Sequence, residues 1–187
     1  MPITIRLATA ADFEDVAALR LAAYRAAPEF TVSDEAAVTR WDGQVLVADC
    51  SGNGIVATMQ VVRCLYIADL ARRSGSTPPP VFSAFPTLLL NRGATQPGLH
   101  YQGLNSQLRL FVLDTALTDA HVQSITGFVY AGAPRLNLLR ELGYMFSPVV
   151  ANPHEHVTGH TPEFFVALQR PQFALAAEQL RQLLTLA

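Results

Sequence analysis

The 187-residue chain contains no lysine; all 13 of its basic residues are arginine. That absence removes a lysine nucleophile, a Schiff base and a Walker-type phosphate lysine from the available chemistry. Cysteine is scarce. Cys50 and Cys64 make neither a disulfide framework nor a zinc spacing, and free thiols are expected. Charged residues make up 15% of the chain and the formal net charge is −2, which argues against nucleic acid as a partner. No apolar run reaches the roughly 20 residues that span a bilayer. The opening stretch from Met1 to Arg6 has no signal-peptide apolar core, so a cytoplasmic location is expected.

Apolar residues are abundant. They form 50% of the chain, and the mean hydropathy is +0.24. One domain over residues 1–187 with a large core is expected, together with an apolar cleft or a self-association face.

Periodicity gives the elements. Ile3–Leu7 reads as a strand. Thr9, with Asp12 three residues on, caps a helix over 10–24 whose apolar face is Phe13, Val16, Ala17, Leu21 and Tyr24. Pro28 interrupts, and Ser33 caps a short helix from Asp34 to Trp41. Gln44–Asp49 and Ile55–Arg63 form a hairpin about the turn at 51–54. Residues 64–86 read as an irregular insertion, helical over 65–73 and then Pro-rich, a flap or a connector. Strands follow at Thr87–Thr95 and Gln123–Tyr130, with a helix at Leu104–Leu117 between them. Pro134 takes the N1 position of a helix that Gly143 terminates. Strands at Tyr144–Val150 and Phe164–Arg170 flank a Pro/His-rich loop, and an amphipathic helix closes at Pro171–Leu186. Hairpins mixed with βαβ units predict an α/β domain, a central mixed sheet with helices on both faces.

The stretch from Leu89 to Leu108 carries the most chemical information. An apolar strand runs through a Pro/Gly turn into a helix opened by Gly103, Leu104, Asn105 and Ser106. Free amides at such a helix start, with the helix dipole, hold a phosphate or pyrophosphate without a lysine. Asn91 and Arg92 interrupt an otherwise apolar strand. Arg92 either grips a substrate carboxylate or forms a structural ion pair. Tyr24, Trp41 and Tyr66 are either substrate contacts or core aromatics. His154, His156 and His160, with Glu155 among them, could close a three-histidine metal site. No cysteine joins them and the segment is Pro/Gly-rich, so a solvated loop without metal is the expectation.

The order of elements and two motifs resemble the GNAT acyltransferases. Thr95 to Leu108 overlays their phosphate-binding signature, Arg/Gln-x-x-Gly-x-Gly/Ala, without a gap; His100 stands at the Arg/Gln place, Gly103 at the middle Gly and Asn105 at the last Gly/Ala. Leu138 to Tyr144 matches their helix ending in Leu-Gly-Phe. Asn91-Arg-Gly-Ala-Thr95, with Trp41-Asp42 before the second strand, resembles N-acyl amino acid synthases and acyl-homoserine-lactone synthases. The resemblance implies a GNAT-like fold of about seven strands and N-acyl transfer from an acyl-CoA, an acetyl-CoA or the acyl-phosphopantetheine of an acyl carrier protein to a small primary amine, with no metal. It implies donor binding by His100, Tyr101, Gln102, Gly103, Leu104, Asn105 and Ser106; His100 is either a phosphate contact or a solvated turn histidine. A backbone N–H near Gly93, Ala94 and Thr95 would serve as oxyanion donor, beside Asn91 and Arg92. Tyr24, Trp41 and Arg92 would face the acceptor.

The usual Glu and Tyr of the family are Leu89 and Leu139 here. The sequence therefore names no general base, and a non-catalytic module that binds acyl-CoA or a protein stays open beside the enzyme. The C-terminal helix is core or dimer interface; a homodimer is one of the open oligomeric states.

Overall fold

The computed structural model describes residues 2–28, 30–74, 78–79, 82, 84–99, 103–150, 157–159 and 163–186. The elements in order are β1 (Ile3–Leu7), α1 (Phe13–Ala26), β2 (Phe30–Val32), α2 (Glu35–Thr39), β3 (Gln44–Cys50), β4 (Gly54–Cys64) and α3 (Ile67–Ser74). Then come β5 (Thr87–Thr95), α4 (Leu104–Thr118), β6 (Ser124–Tyr130), α5 (Leu136–Glu141), β7 (Met145–Val150), β8 (Val157–Gly159), β9 (Glu163–Gln169) and α6 (Phe173–Leu186).

Seven strands make one mixed sheet, the number that the resemblance implies, and their order is β1-β3-β4-β5-β6-β9-β7. Only β5 and β6 run parallel to each other; the other neighbours are antiparallel. Strand alternation sends Leu46, Met59, Leu90, Ile125 and Leu168 into the main core, where α4 supplies Leu108 and Leu113 and α6 supplies Phe173 and Leu180. On the opposite face α1 places Val16 on Val45 and Val47, and α3 places Leu70 with Val62, Leu89 and Phe165. Cys50 and Cys64 are buried free thiols, as expected. Among the described residues, no helix is long and apolar enough to cross a membrane.

Local chemistry explains most boundaries. Thr9 and Asp12 form the expected capping box, in which the backbone N–H of Thr9 donates to Asp12 at 2.7 Å, and Asp12 also pairs with Arg6. The second helix is capped by Asp34 rather than Ser33, because the Asp34 carboxylate accepts from the Ala37 amide at 3.1 Å. Pro134 is not at N1: α5 starts at Leu136, and the proline lies in the preceding turn. The apolar face of α1 is also different. Phe13 is 46% exposed, whereas Val16, Leu19 and Arg20 are buried. A three-residue ladder between β2 and β8 is additional; such short strands leave no period to read. Most of the Pro-rich stretch at 74–80 lies outside the described residues.

The seam between β5 and β6 is only four residue pairs long, Thr87–Leu90 against Ser124–Gly127. At its end a Cβ on Gly127 would sit 3.0 Å from the Leu90 carbonyl oxygen, so glycine is what lets the strands meet there. Gly127→Val is expected to cost about 2 kcal/mol in urea unfolding, since backbone rather than a side chain must yield.

Candidate active site

Beyond Leu90 the two strands part. β5 keeps its outer partner, pairing Asn91 with Gln60, Ala94 with Thr58 and Thr95 with Ala57. β6 keeps its own, pairing Phe128, Val129 and Tyr130 with Phe165, Phe164 and Glu163. Neither half of the former seam continues, so among the described residues the β6-facing edge of 91–95 has no strand partner. The cause is a bulge: Arg92 and Gly93 together oppose Met59, and Arg92 adopts φ +45°. A bulge adds twist and redirects the chain, and left-handed backbone at a residue other than glycine stores strain of about 1–3 kcal/mol.

The start of α4 lies beside this gap. Gly103 is its N-cap with φ +69°, and the Gln107 amide makes the first turn's bond to the Gly103 carbonyl at 2.9 Å. The amides of Leu104, Asn105 and Ser106 therefore come before any intrahelical acceptor. Gly103 supplies no side-chain cap, and the first turn holds no acidic residue to compete with an anion. The φ of +69° strains any L side chain at Gly103, and a Cβ there would press on the flexible end of Leu184, Cδ2, at 3.0 Å, so replacement costs stability at this turn. These features fit a phosphate-bearing donor. Asn105 ties the cradle to the bulge: its Oδ1 accepts from Arg109 Nε at 3.1 Å, and its Nδ2 would be 3.6 Å from a Cβ on Gly93. Arg109 in turn donates to the Tyr144 hydroxyl at 3.3 Å and lies over that ring.

The α1 face of the gap is rich in hydrogen-bond donors. Arg20 is fully buried; it donates to the Arg40 carbonyl at 3.1 Å and to Gln60 Oε1 at 3.4 Å. Its Nε, Gln60 Nε2 and Arg135 Nε are buried with no hydrogen-bond partner among the described residues, as is the acceptor Asn91 Oδ1. Arg92 spends its Nε on the Ala37 carbonyl at 3.1 Å. Burial pushes Arg20 and Arg135 down to about 10, and lowers Arg92 against the pull of Asp42. Burial raises Tyr24, which lies within electrostatic reach of Arg20, Arg92, Arg135 and Glu163. Glu163 is 5% exposed and its carboxyl is pushed up to about 7, because burial outweighs the attraction of Arg135.

Asn91, Arg92, Gly93, Ala94 and Thr95 thus line one wall of the gap, with Leu104, Asn105 and Ser106 at its α4 end and Tyr24 on the α1 side. Trp41 instead packs on Phe13, ring centroids 5.6 Å apart, and against the Val16–Val45–Val47 cluster. Tyr66 is 58% exposed. His100, Tyr101 and Gln102 lie outside the described residues, as do His154, Glu155, His156 and His160. Among the described residues no group of three or more metal-ligating side chains occurs. Leu89 and Leu139 are fully buried core residues, so neither position serves acid–base chemistry. Sequence reading missed Arg20, Gln60, Arg135 and Glu163. The legible hint was polar residues inside apolar periodicity, as with Arg20 four residues after Val16.

No family model matches the sequence, and no curated protein matches it. Solved structures do. The fold is similar to FeeM, an N-acyl amino acid synthase from uncultured soil microbes, with a TM-score of 0.63 and 15% identity, over 94% of this chain and 96% of that one. It is similar to the ribosomal-protein-S18-alanine N-acetyltransferase of Escherichia coli, with a TM-score of 0.62 and 17% identity, over 90% and 94% of the two chains. It is also similar to GphF, a GNAT-like decarboxylase in complex with isobutyryl-CoA, with a TM-score of 0.64 and 17% identity, over 89% and 98%. The chain has the GNAT fold.

Proposed function

We propose that the protein is an N-acyltransferase that moves an acyl group from a thioester donor to a primary amine by direct attack. The parted strands beside an open helix start carry this reading. The amides of Leu104, Asn105 and Ser106 hold the pyrophosphate of an acyl-CoA, or the phosphopantetheine of an acyl carrier protein. The acyl arm runs into the gap. A backbone N–H of Gly93–Thr95 receives the thioester carbonyl and stabilises its oxygen as negative charge develops, worth about 3 kcal/mol for one donor. Holding amine and thioester together supplies most of the remainder.

The acceptor lies on the α1 side. Buried guanidinium and amide donors at Arg20, Gln60 and Arg135, beside Arg92, favour an amine that also bears a carboxylate, as an amino acid does. The apolar composition favours a medium or long acyl chain. Arg92→Leu should raise the acceptor KM at least about 10-fold with little change in kcat, the pattern of a lost binding contact. An unchanged KM in a folded variant removes that role.

A second reading has its own observation. Leu89 and Leu139 are buried in the core, which favours a non-catalytic module that binds acyl-CoA or a protein partner. Thiol release separates the two. The enzyme frees coenzyme A from octanoyl-CoA with at least one of a panel of amines and amino acids; the module binds octanoyl-CoA and releases none.

A further inference from the structure

Acyl transfer to an ammonium needs a proton acceptor, and the two positions that supply acid–base groups in the family are core leucines. We propose that Glu163 takes the proton from the attacking amine, from the opposite wall of the gap to the β5 bulge. This rests on the acyl-transfer reading above.

The placement follows from strand register. Glu163 is the first residue of β9 and pairs with Tyr130, the last of β6, three residues beyond the point where β5 leaves. Alternation puts it on the same sheet face as Phe165, the face that α3 covers at Phe165 and α1 covers at Val45 and Val47. Among the described residues, the groups facing it are Tyr130 from β6, Arg135 from the turn before α5 and Tyr24 from α1; its β7 neighbour, Val150, does not titrate. Tyr24 spans the gap electrostatically, since it feels Arg92 on one wall and Glu163 with Arg135 on the other. Among the described residues, Glu163 is the one carboxylate in that set. Its raised proton affinity suits the task, because a base poised near neutrality removes a proton efficiently.

The step balances. The ammonium loses one proton to the Glu163 carboxylate, and the neutral nitrogen forms the N–C bond to the thioester carbonyl. The C–S bond breaks, the second amine proton goes to the departing thiolate, and Glu163 returns its proton to solvent.

The experiment compares wild type, Glu163→Gln and Glu163→Asp by kcat/KM for thiol release from octanoyl-CoA across pH. Leucine, an ammonium at neutral pH, and methoxyamine, already neutral there, serve as acceptors. Glu163→Gln should lose about 100-fold with leucine and less than about 5-fold with methoxyamine. The wild-type limb near pH 7 should vanish, and Glu163→Asp should recover part of the rate. Equal losses with both acceptors, or an unchanged limb, overturn the assignment while leaving acyl transfer standing. No release by wild type with any amine overturns both. Carbon-13 NMR of glutamate carboxyls, with Glu163→Gln for assignment, gives a reading that needs no turnover. A midpoint near 7 that rises in Arg135→Gln supports the assignment; one below about 5 overturns it.

Discussion

Gly103→Glu is expected to weaken coenzyme A binding at least about 100-fold, or about 2.7 kcal/mol, by isothermal titration calorimetry. Three effects add. The new side chain takes up space that Leu184 Cδ2 borders at 3.0 Å. The left-handed φ of +69° costs roughly 1–2 kcal/mol for an L side chain, which loosens the first turn. The carboxylate puts a like charge beside the pyrophosphate, where a close pair at an effective dielectric of 20 repels by about 4 kcal/mol before salt screening. Gly103→Ala separates strain from charge. It should lower the melting temperature yet keep affinity within about 5-fold. Full affinity in a folded Gly103→Glu protein would remove the phosphate cradle from α4.

Glu163 gives a second large effect, on stability against pH. A carboxyl whose folded value is raised stabilises fully below its unfolded value of about 4.3. That contribution is lost as pH climbs through the folded value of about 7, because the folded state must then bury a charge. Glu163→Gln carries no such charge. Relative to wild type, the variant should therefore gain stability between about pH 4.3 and pH 7 and hold the gain above that, by up to about 3 kcal/mol. Urea unfolding at pH 4, 6 and 8 reads this directly. A difference between the two proteins that stays constant across those three values contradicts a carboxyl raised by burial.

The sheet and the start of α4 are largely legible in the sequence. Thr87–Thr95 matches β5 residue for residue, and Leu104 is the first residue of α4, because period-two patterning and Gly/Pro punctuation are local signals. Where two local signals competed, tertiary contacts decided. Ser33 and Asp34 are both good caps, and only the Asp34 bond to Ala37 distinguishes them. The α1 wall of the gap is nearly invisible there. Arg20 lies one helical turn after Val16, but its role in the fold shows only once Gln60 and the Arg40 carbonyl are seen beside it. Glu163, Arg135 and Tyr24 come from β9, a turn and α1, and only the fold places them near one another. Leu89 and Leu139 were informative by default: without its usual acid–base residues, the fold directs attention to other carboxyls on the gap.

The short β5–β6 seam makes the sheet a pair of leaves joined at a spine four rungs high. One leaf, β1-β3-β4-β5, bears the kink at Arg92; the other, β6-β9-β7, bears the acid at Glu163. A molecule held in the opening would touch both leaves at once, so a small shift of one against the other would change the distance between the bulge at Arg92 and Glu163 without altering a single side chain.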